Sequence, residues 1–224
     1  MRVLALDTTT PRGSLAVAGD EGLLAEARVV TSDGHSRWVL GAAAALLHGL
    51  GIEAAALDGF AVTVGPGAFT GLRVGIASIQ GLGLACGRPC IGLSTLEVLA
   101  LAARGRAPRV AALMDAFRGE TYFALYDEAG RGLDPPRVGG LETALDGLDC
   151  APGETIAFVG DAASARRAAI EARVPGAVFP DVDLFLAAPL ARTAVARLAA
   201  GEGVPAAALR PLYLRPPDIR PARA

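Results

Sequence analysis

A chain of 224 residues, 52% hydrophobic but only 5% aromatic and with a mean hydropathy of +0.42, fits two small lobes with aliphatic cores. All 21 basic residues are arginine, which excludes a P-loop ATPase and any lysine Schiff base or lysine general base, since each needs an ammonium group. A net charge of −2 and an isoelectric point near 5.7 argue against a free-standing nucleic-acid binder, which carries a basic face, and leave any RNA contact local or delegated to a partner.

In chain order, residues 2–6 read as a strand ending in the turn Asp7-Thr8-Thr9-Thr10-Pro11. Strand-like runs follow at 13–18 and 23–30, so the chain opens as an antiparallel meander. A helix is predicted over 36–50, with Ser32 or Asp33 as cap and Gly49 or Gly51 as stop. A buried strand at 58–64 runs into Gly65-Pro66-Gly67-Ala68-Phe69-Thr70-Gly71 and a second helix to about 85. After a short strand at 89–93, Ser94-Thr95-Leu96-Glu97 has the form of a capping box opening a third helix to about 103.

Residues 104–108 mark the expected boundary between an N-terminal lobe, 1–105, and a reduced C-terminal lobe, 106–224. Beyond it the opening pattern recurs: a strand at 110–114 ends at Asp115, a turn follows at 117–119, and a second strand spans 121–126. Residues 131–152 read as loop, 155–159 as a strand leading to Gly160-Asp161, and 162–172 and 188–200 as helices. The tail from Pro211 reads as extended, and its arginines Arg215, Arg220 and Arg223 would either touch RNA or keep the end soluble. Three strands, helix, strand, helix, strand, helix is the core order of the α/β actin-like ATPase (ribonuclease H-like) fold. A dinucleotide fold would instead place its glycine turn after the first strand.

The glycine block fails as G-x-G-x-x-G because Thr70 stands at the third glycine. Gly65 and Gly67 could bring backbone N–H groups to an anion at a helix N-terminus, or simply make a sharp turn. Asp7 and Thr8 end the first strand where actin-like ATPases face phosphate and magnesium. Asp115 occupies the matching hairpin of the second half, and Gly160 and Asp161 lie where that fold contacts adenosine. No metal is expected: His35 and His48 are 13 residues apart, and Cys86, Cys90 and Cys150 lack metal-ligand spacing. The three cysteines read as small apolar residues of a reducing compartment. With no signal-like N-terminus, and the longest apolar stretch taken as 38–47, a soluble cytoplasmic protein is expected.

Two predicted helices have no polar side: the only long polar side chains are Arg37 and His48 in 36–50, and Arg73 and Gln80 in 70–85. A surface helix ordinarily keeps one solvated face. These two either cover each other or await a partner helix pair, and Gly71, Gly75, Gly81 and Gly83 leave flat patches for close approach.

The blocks Leu4-Ala5-Leu6-Asp7-Thr8-Thr9-Thr10, His35-Ser36-Arg37, Val64 to Gly75, Gly92 to Glu97 and Asp115-Ala116-Phe117-Arg118-Gly119-Glu120 together resemble the TsaB (YeaZ) family. The likeness runs in order from residue 2 to about 127, is thin over 131–152, and returns at Gly160-Asp161 and Pro211 to Arg215. It implies a shortened paralogue of TsaD, the subunit that transfers a threonylcarbamoyl group to tRNA adenosine, lacking that subunit's metal-binding histidine pair. It further implies no catalysis and no cofactor of its own, with nucleotide at the partner interface left open. TsaD is the implied heterodimer partner, the ATPase TsaE joins the pair, tRNA is met indirectly, and the chain self-associates when alone. The implied interface is the same helix pair, through His35, Trp38, Leu46, Thr70, Leu72, Arg73, Ile76, Ile79 and Gln80. Two departures stand out: Ala68, where relatives often carry serine, and Phe117, where a polar or basic residue is frequent. A free-standing actin-like small-molecule kinase or ATPase is the alternative reading, and a peptidase a remote one.

Overall fold

The computed structural model describes residues 1–215 except 147, 149 and 152. Strands β1 (Arg2–Asp7), β2 (Arg12–Gly19), β3 (Gly22–Val30), β4 (Gly59–Gly65) and β5 (Cys90–Ser94) form the first sheet in the order β3-β2-β1-β4-β5. The first three are antiparallel neighbours, while β4 and β5 run parallel to β1. Residues Val3 to Leu6 are fully buried, as expected of a central strand covered on both faces. Strands β6 (Arg109–Asp115), β7 (Thr121–Asp127), β8 (Arg137–Gly139), β9 (Ile156–Val159) and β10 (Ala177–Val178) form the second sheet as β10-β9-β6-β7-β8. Read from the other edge this is the order of the first sheet, with matching directions. The chain is therefore two copies of one five-stranded unit, the second cut short, in the actin-like ATPase fold.

Helices α1 (Val39–Gly49) and α2 (Phe69–Cys86) cover one face of the first sheet, burying Val39, Ala43, Leu47, Leu72, Ile76 and Ile79 against Leu4, Leu6, Leu15 and Val17. Successive strand residues point to opposite faces, so Val3, Ala5, Ala16 and Ala18 meet a second core on the other side. That core holds α3 (Thr95–Ala102) and α7 (Ala187–Ala199), sandwiched between the two sheets. Although α7 lies late in the chain, it packs on β1, β2 and β4, and Ala187 N donates to the buried Ser14 hydroxyl (3.0 Å). The outer face of the second sheet is closed by α4 (Leu141–Leu145), α5 (Asp161–Ala165) and α6 (Arg167–Arg173).

Several local expectations are corrected. Residues 131–152 are not all loop, because β8 and α4 lie within them; three and five residues are too few for a periodic pattern to emerge. The helix expected over 162–172 is two, broken at Arg166, whose backbone leaves helical geometry and whose Nη2 donates to the Gly119 carbonyl. Helix α1 starts at Val39, three residues late, with no side-chain cap from Ser32 or Asp33. Ser94 precedes α3 but its side chain makes no capping bond, and Glu97 is engaged in an ion pair with Arg197. At 18 residues and a mean hydropathy of 1.2, α2 rather than 38–47 is the longest apolar segment, and by length and composition alone it could span a bilayer. Its inner face is committed to the sheet. Arg220 and Arg223 lie outside the described residues.

Replacing Ile79, fully buried under α2, by alanine removes core atoms and leaves a cavity. Ile79→Ala is expected to cost about 2–5 kcal/mol in chemical denaturation, whereas a change under ~0.5 kcal/mol would place the residue on a surface.

Candidate functional site

The turn after β1 and the start of α2 meet in a seam without spare room. A Cβ added at Gly71 would lie 2.1 Å from the Thr8 carbonyl oxygen, one at Gly75 would lie 2.4 Å from Thr8 Oγ1, and one at Gly67 would lie 2.6 Å from the Thr9 carbonyl. Thr8 Oγ1 donates to the Gly71 carbonyl (2.8 Å) and Ala68 N to the Thr9 carbonyl (2.7 Å). Gly65 has φ +113°, and a side chain there would strike the Leu212 carbonyl, whose residue pairs with Val64 through its N–H (2.7 Å). These glycines admit the chain's own backbone where a phosphate-binding loop would leave space for a ligand.

Asp7 is fully buried beside this seam. Its Oδ1 accepts from Thr9 N (3.1 Å), Thr9 Oγ1 (2.7 Å) and Thr63 Oγ1 (2.6 Å), while Oδ2 has no partner. Burial pushes its carboxyl above the ordinary value of 3.8, against the lowering effect of these hydrogen bonds. His35 closes the outer side: its Nε2 lies 2.8 Å from the Thr10 carbonyl and its Nδ1 accepts from Trp38 Nε1 (3.1 Å), which fixes the Nε2–H tautomer.

The second set of residues gathers across the lobes. Asp161 Oδ1 accepts from Asp115 N (3.1 Å) and Ala162 N (2.8 Å), Asp115 Oδ1 accepts from Phe117 N (3.1 Å), and Gly160 at φ +108° packs on the Leu113 carbonyl. Phe117 and Arg118 turn this hairpin in left-handed conformation (φ +60° and +56°), which few non-glycine residues adopt. Between the lobes, Thr10 and Arg12 face Gly160 and Asp161 across a cavity of about 20 Å³, which Leu184 and Leu186 fill from the side. That is room for about one water, against the ~300–1,000 Å³ of a small-molecule site. A hollow of about 370 Å³ adjoins Gly160 and is lined by Ser164, Arg167 and Phe179, but neither Asp7, Thr8, Gly65 nor Gly67 reaches it. Among the described residues no cluster of metal-binding side chains occurs.

The helix pair presents a different surface from the one expected. Leu72, Ile76 and Ile79 lie in the core, and His35 is buried in its turn, so none of the four can meet a partner. Trp38, Leu46 and Gln80 are half-buried, and Gln80 Nε2 donates to the Leu209 carbonyl (3.3 Å). Only Thr70 and Arg73 of the expected interface residues are exposed. The outward surface is instead built from Leu40 (59% exposed), Phe69 (41%) and Leu84 (65%), set among Gly41, Ala44, Ala45, Ala77 and Gly81. Tyr213 extends it: its ring stacks on Phe69 at 5.6 Å, and Arg73 lies over the other aromatic partner while donating from Nε to the Tyr213 hydroxyl (3.2 Å). Residues 72, 76 and 79 are spaced as one helical stripe and 69, 73, 77 and 84 as the opposite one. The spacing therefore carried the inward–outward division, whereas the Tyr213 contact left no sequence signal.

A family model described as TsaD: tRNA N6-adenosine threonylcarbamoyltransferase matches residues 29–212. The chain is 36% identical over 135 residues to the tRNA threonylcarbamoyladenosine biosynthesis protein TsaB of Escherichia coli K12, a match covering 59% of this chain and 58% of that protein's length. It superposes on YeaZ from Pseudomonas aeruginosa with TM-score 0.79 at 32% identity, covering 95% of this chain and 99% of that one. The activator of 2-hydroxyisocaproyl-CoA dehydratase from Clostridium difficile, solved with bound ADPNP, gives TM-score 0.55 at 10% identity over 90% and 96% of the chains, a likeness of fold alone.

Because the folded-state value of Asp7 is raised, its contribution to stability is complete below about 3.8 and is lost as pH rises through the raised value. Asp7→Asn, which cannot ionise, is therefore expected to gain on the wild type progressively from about pH 4 upward. Denaturation midpoints across pH test this, and a pH-independent difference between the two proteins contradicts it.

Proposed function

The chain belongs to the TsaB (YeaZ) family, and from that premise we propose that it serves in the biosynthesis of threonylcarbamoyladenosine on tRNA as a non-catalytic partner subunit of TsaD. The observation that carries this reading is the outward face of α1 and α2, where Leu40, Phe69 and Leu84 stand exposed on helices whose only charged side chain is Arg73. Each such side chain left uncovered forgoes ~1.5–3 kcal/mol of burial. Alanines and glycines between them let another helix come close. The match to a TsaD family model supports a paralogous partner of similar fold, so that helices of one kind would pack on helices of the same kind.

In this reading the complex is cytoplasmic, the ATPase TsaE joins it, tRNA is held by the partner, and the isolated chain pairs with itself through the same helices. The filled space between the lobes supports a role without turnover, since a free-standing kinase would need an open cleft there. The burial of Asp7 and the three hydrogen bonds accepted by its Oδ1 support a structural part for this carboxylate.

Leu40→Arg combined with Leu84→Arg adds two charges to the outward face without touching the core. Stability is expected to stay within ~0.5 kcal/mol per site, while co-elution with TsaD in size exclusion is lost because buried charge without a partner is costly. Unimpaired assembly of the folded double variant would overturn the interface. The purified chain is also expected to hydrolyse ATP at the buffer rate with magnesium present, and steady turnover would favour the kinase reading. Depleting the protein and measuring tRNA nucleosides by mass spectrometry tests the pathway itself, with loss of threonylcarbamoyladenosine expected.

A further inference from the structure

A groove unrelated to the space between the hairpins runs along α3 and α7. Its main cavity, about 730 Å³, is walled by Glu97, Leu101, Arg192, Thr193 and Arg197 and floored by Ser94 and Tyr126. A second cavity of about 420 Å³ adjoins it and shares Leu101, Arg104, Arg192 and Thr193. Neither shares a lining residue with the small cavity at Gly160 and Asp161.

The charges of this groove are unevenly matched. Arg197 is paired with Glu97 and Glu202, Arg131 with Asp127, and Arg28 with Glu26 and Asp183. Arg104 and Arg192, on the wall common to both cavities, are exposed and make no side-chain hydrogen bond or ion pair among the described residues. Guanidinium forks match the paired oxygens of phosphate better than any other side chain does. On the floor, the Ser94 hydroxyl lies beside the Tyr126 hydroxyl and shares a hydrogen bond with it, so the pair offers polar oxygens at the base of the cavity. Tyr126, 4% exposed, keeps its hydroxyl proton because burial holds its pKa far above neutrality. The cavity is several times larger than a bare phosphate ion needs and offers Leu101 and Ala196 as apolar wall.

We propose that this groove binds an organic phosphate monoester, its dianion held between Arg104 and Arg192 and its uncharged body lying over Ser94 and Tyr126. The site is independent of the proposed TsaD partnership, since it lies on the face of the first sheet opposite α1 and α2.

Calorimetric titration of the folded chain with adenosine 5′-monophosphate, adenosine and inorganic phosphate tests it. Saturable binding of the monophosphate is expected, with both other probes weaker. Arg104→Gln with Arg192→Gln is expected to weaken it about tenfold or more, as loss of charge-assisted hydrogen bonds does. Arg173→Gln, on α6 in the other lobe, should leave it within about twofold, the range of a distant surface charge. Unchanged melting curves would confirm that the double variant folds. Absence of saturable binding, equal affinity for adenosine, or equal loss in Arg173→Gln would each overturn the proposal. Equal affinity for inorganic phosphate would mean an adventitious ion only and would overturn it too.

Discussion

The contact between the Thr8–Thr9 backbone and Gly67, Gly71 and Gly75 decides how the first lobe is built. Because no Cβ intervenes, α2 descends onto the turn after β1 until a threonine hydroxyl and a helix carbonyl are hydrogen-bonded. The first free N–H of the helix, at Ala68, is answered by the Thr9 carbonyl. The turn after β1 and the start of α2 thus pack directly on each other. Asp7 is walled in beside this contact, and its burial makes the carboxyl resist ionisation even though the threonine hydrogen bonds to Oδ1 favour the charged form.

A helix seated so low places Leu72, Ile76 and Ile79 in the core and leaves the rest of its circumference outside. The apolar surface there is a remainder: the sheet can absorb one stripe, and among the described residues Leu84 and Ala77 stay exposed while Phe69 is covered only in part, by Tyr213 and Arg73. The same closing-in recurs between the lobes. Leu184 and Leu186 wedge the interval, Asp183 pairs with Arg28, Ala187 N binds Ser14, and Arg215 ties the end of the described chain to Glu120 and the Ala116 carbonyl. Bonds from the last third of the chain thus cross to both hairpins.

The architecture was largely legible because it is written in long, strongly apolar strands and in punctuation: Asp7 and Asp115 ending equivalent strands, and Gly65 to Gly71 following the fourth. What escaped was either short or distant. Strands β8 and β10, of three and two residues, owe their existence to the neighbours they pair with and have no period of their own. The capping box does not form, and Glu97 meets Arg197, 100 residues away, a contact no local pattern records. The expected interface residues and the exposed ones differ for another reason: a lack of polar side chains marks a helix as apolar all round, and only the phase of its large residues says which of them face the sheet. Ile76 and Ile79 look as available as Leu84 until their spacing with Leu72 is laid on the pleat of the sheet.

Strand alternation carries one more consequence. Leu4 and Leu6 face α1 and α2, while Val3 and Ala5 face α3 and α7, so the central strand separates the apolar helix surface from the arginine groove by its own thickness. A protein docked on the first therefore does not cover the second. The net charge of −2 conceals this arrangement, because most arginines along the groove are cancelled by carboxylates within a few ångströms, while Arg104 and Arg192 have no such partner among the described residues. Local pairing, not the total, sets what such a surface can hold. Two surfaces of opposite character on opposite faces of one sheet would leave the proposed partner and the proposed anion free to bind at the same time, with the strands of that sheet between them.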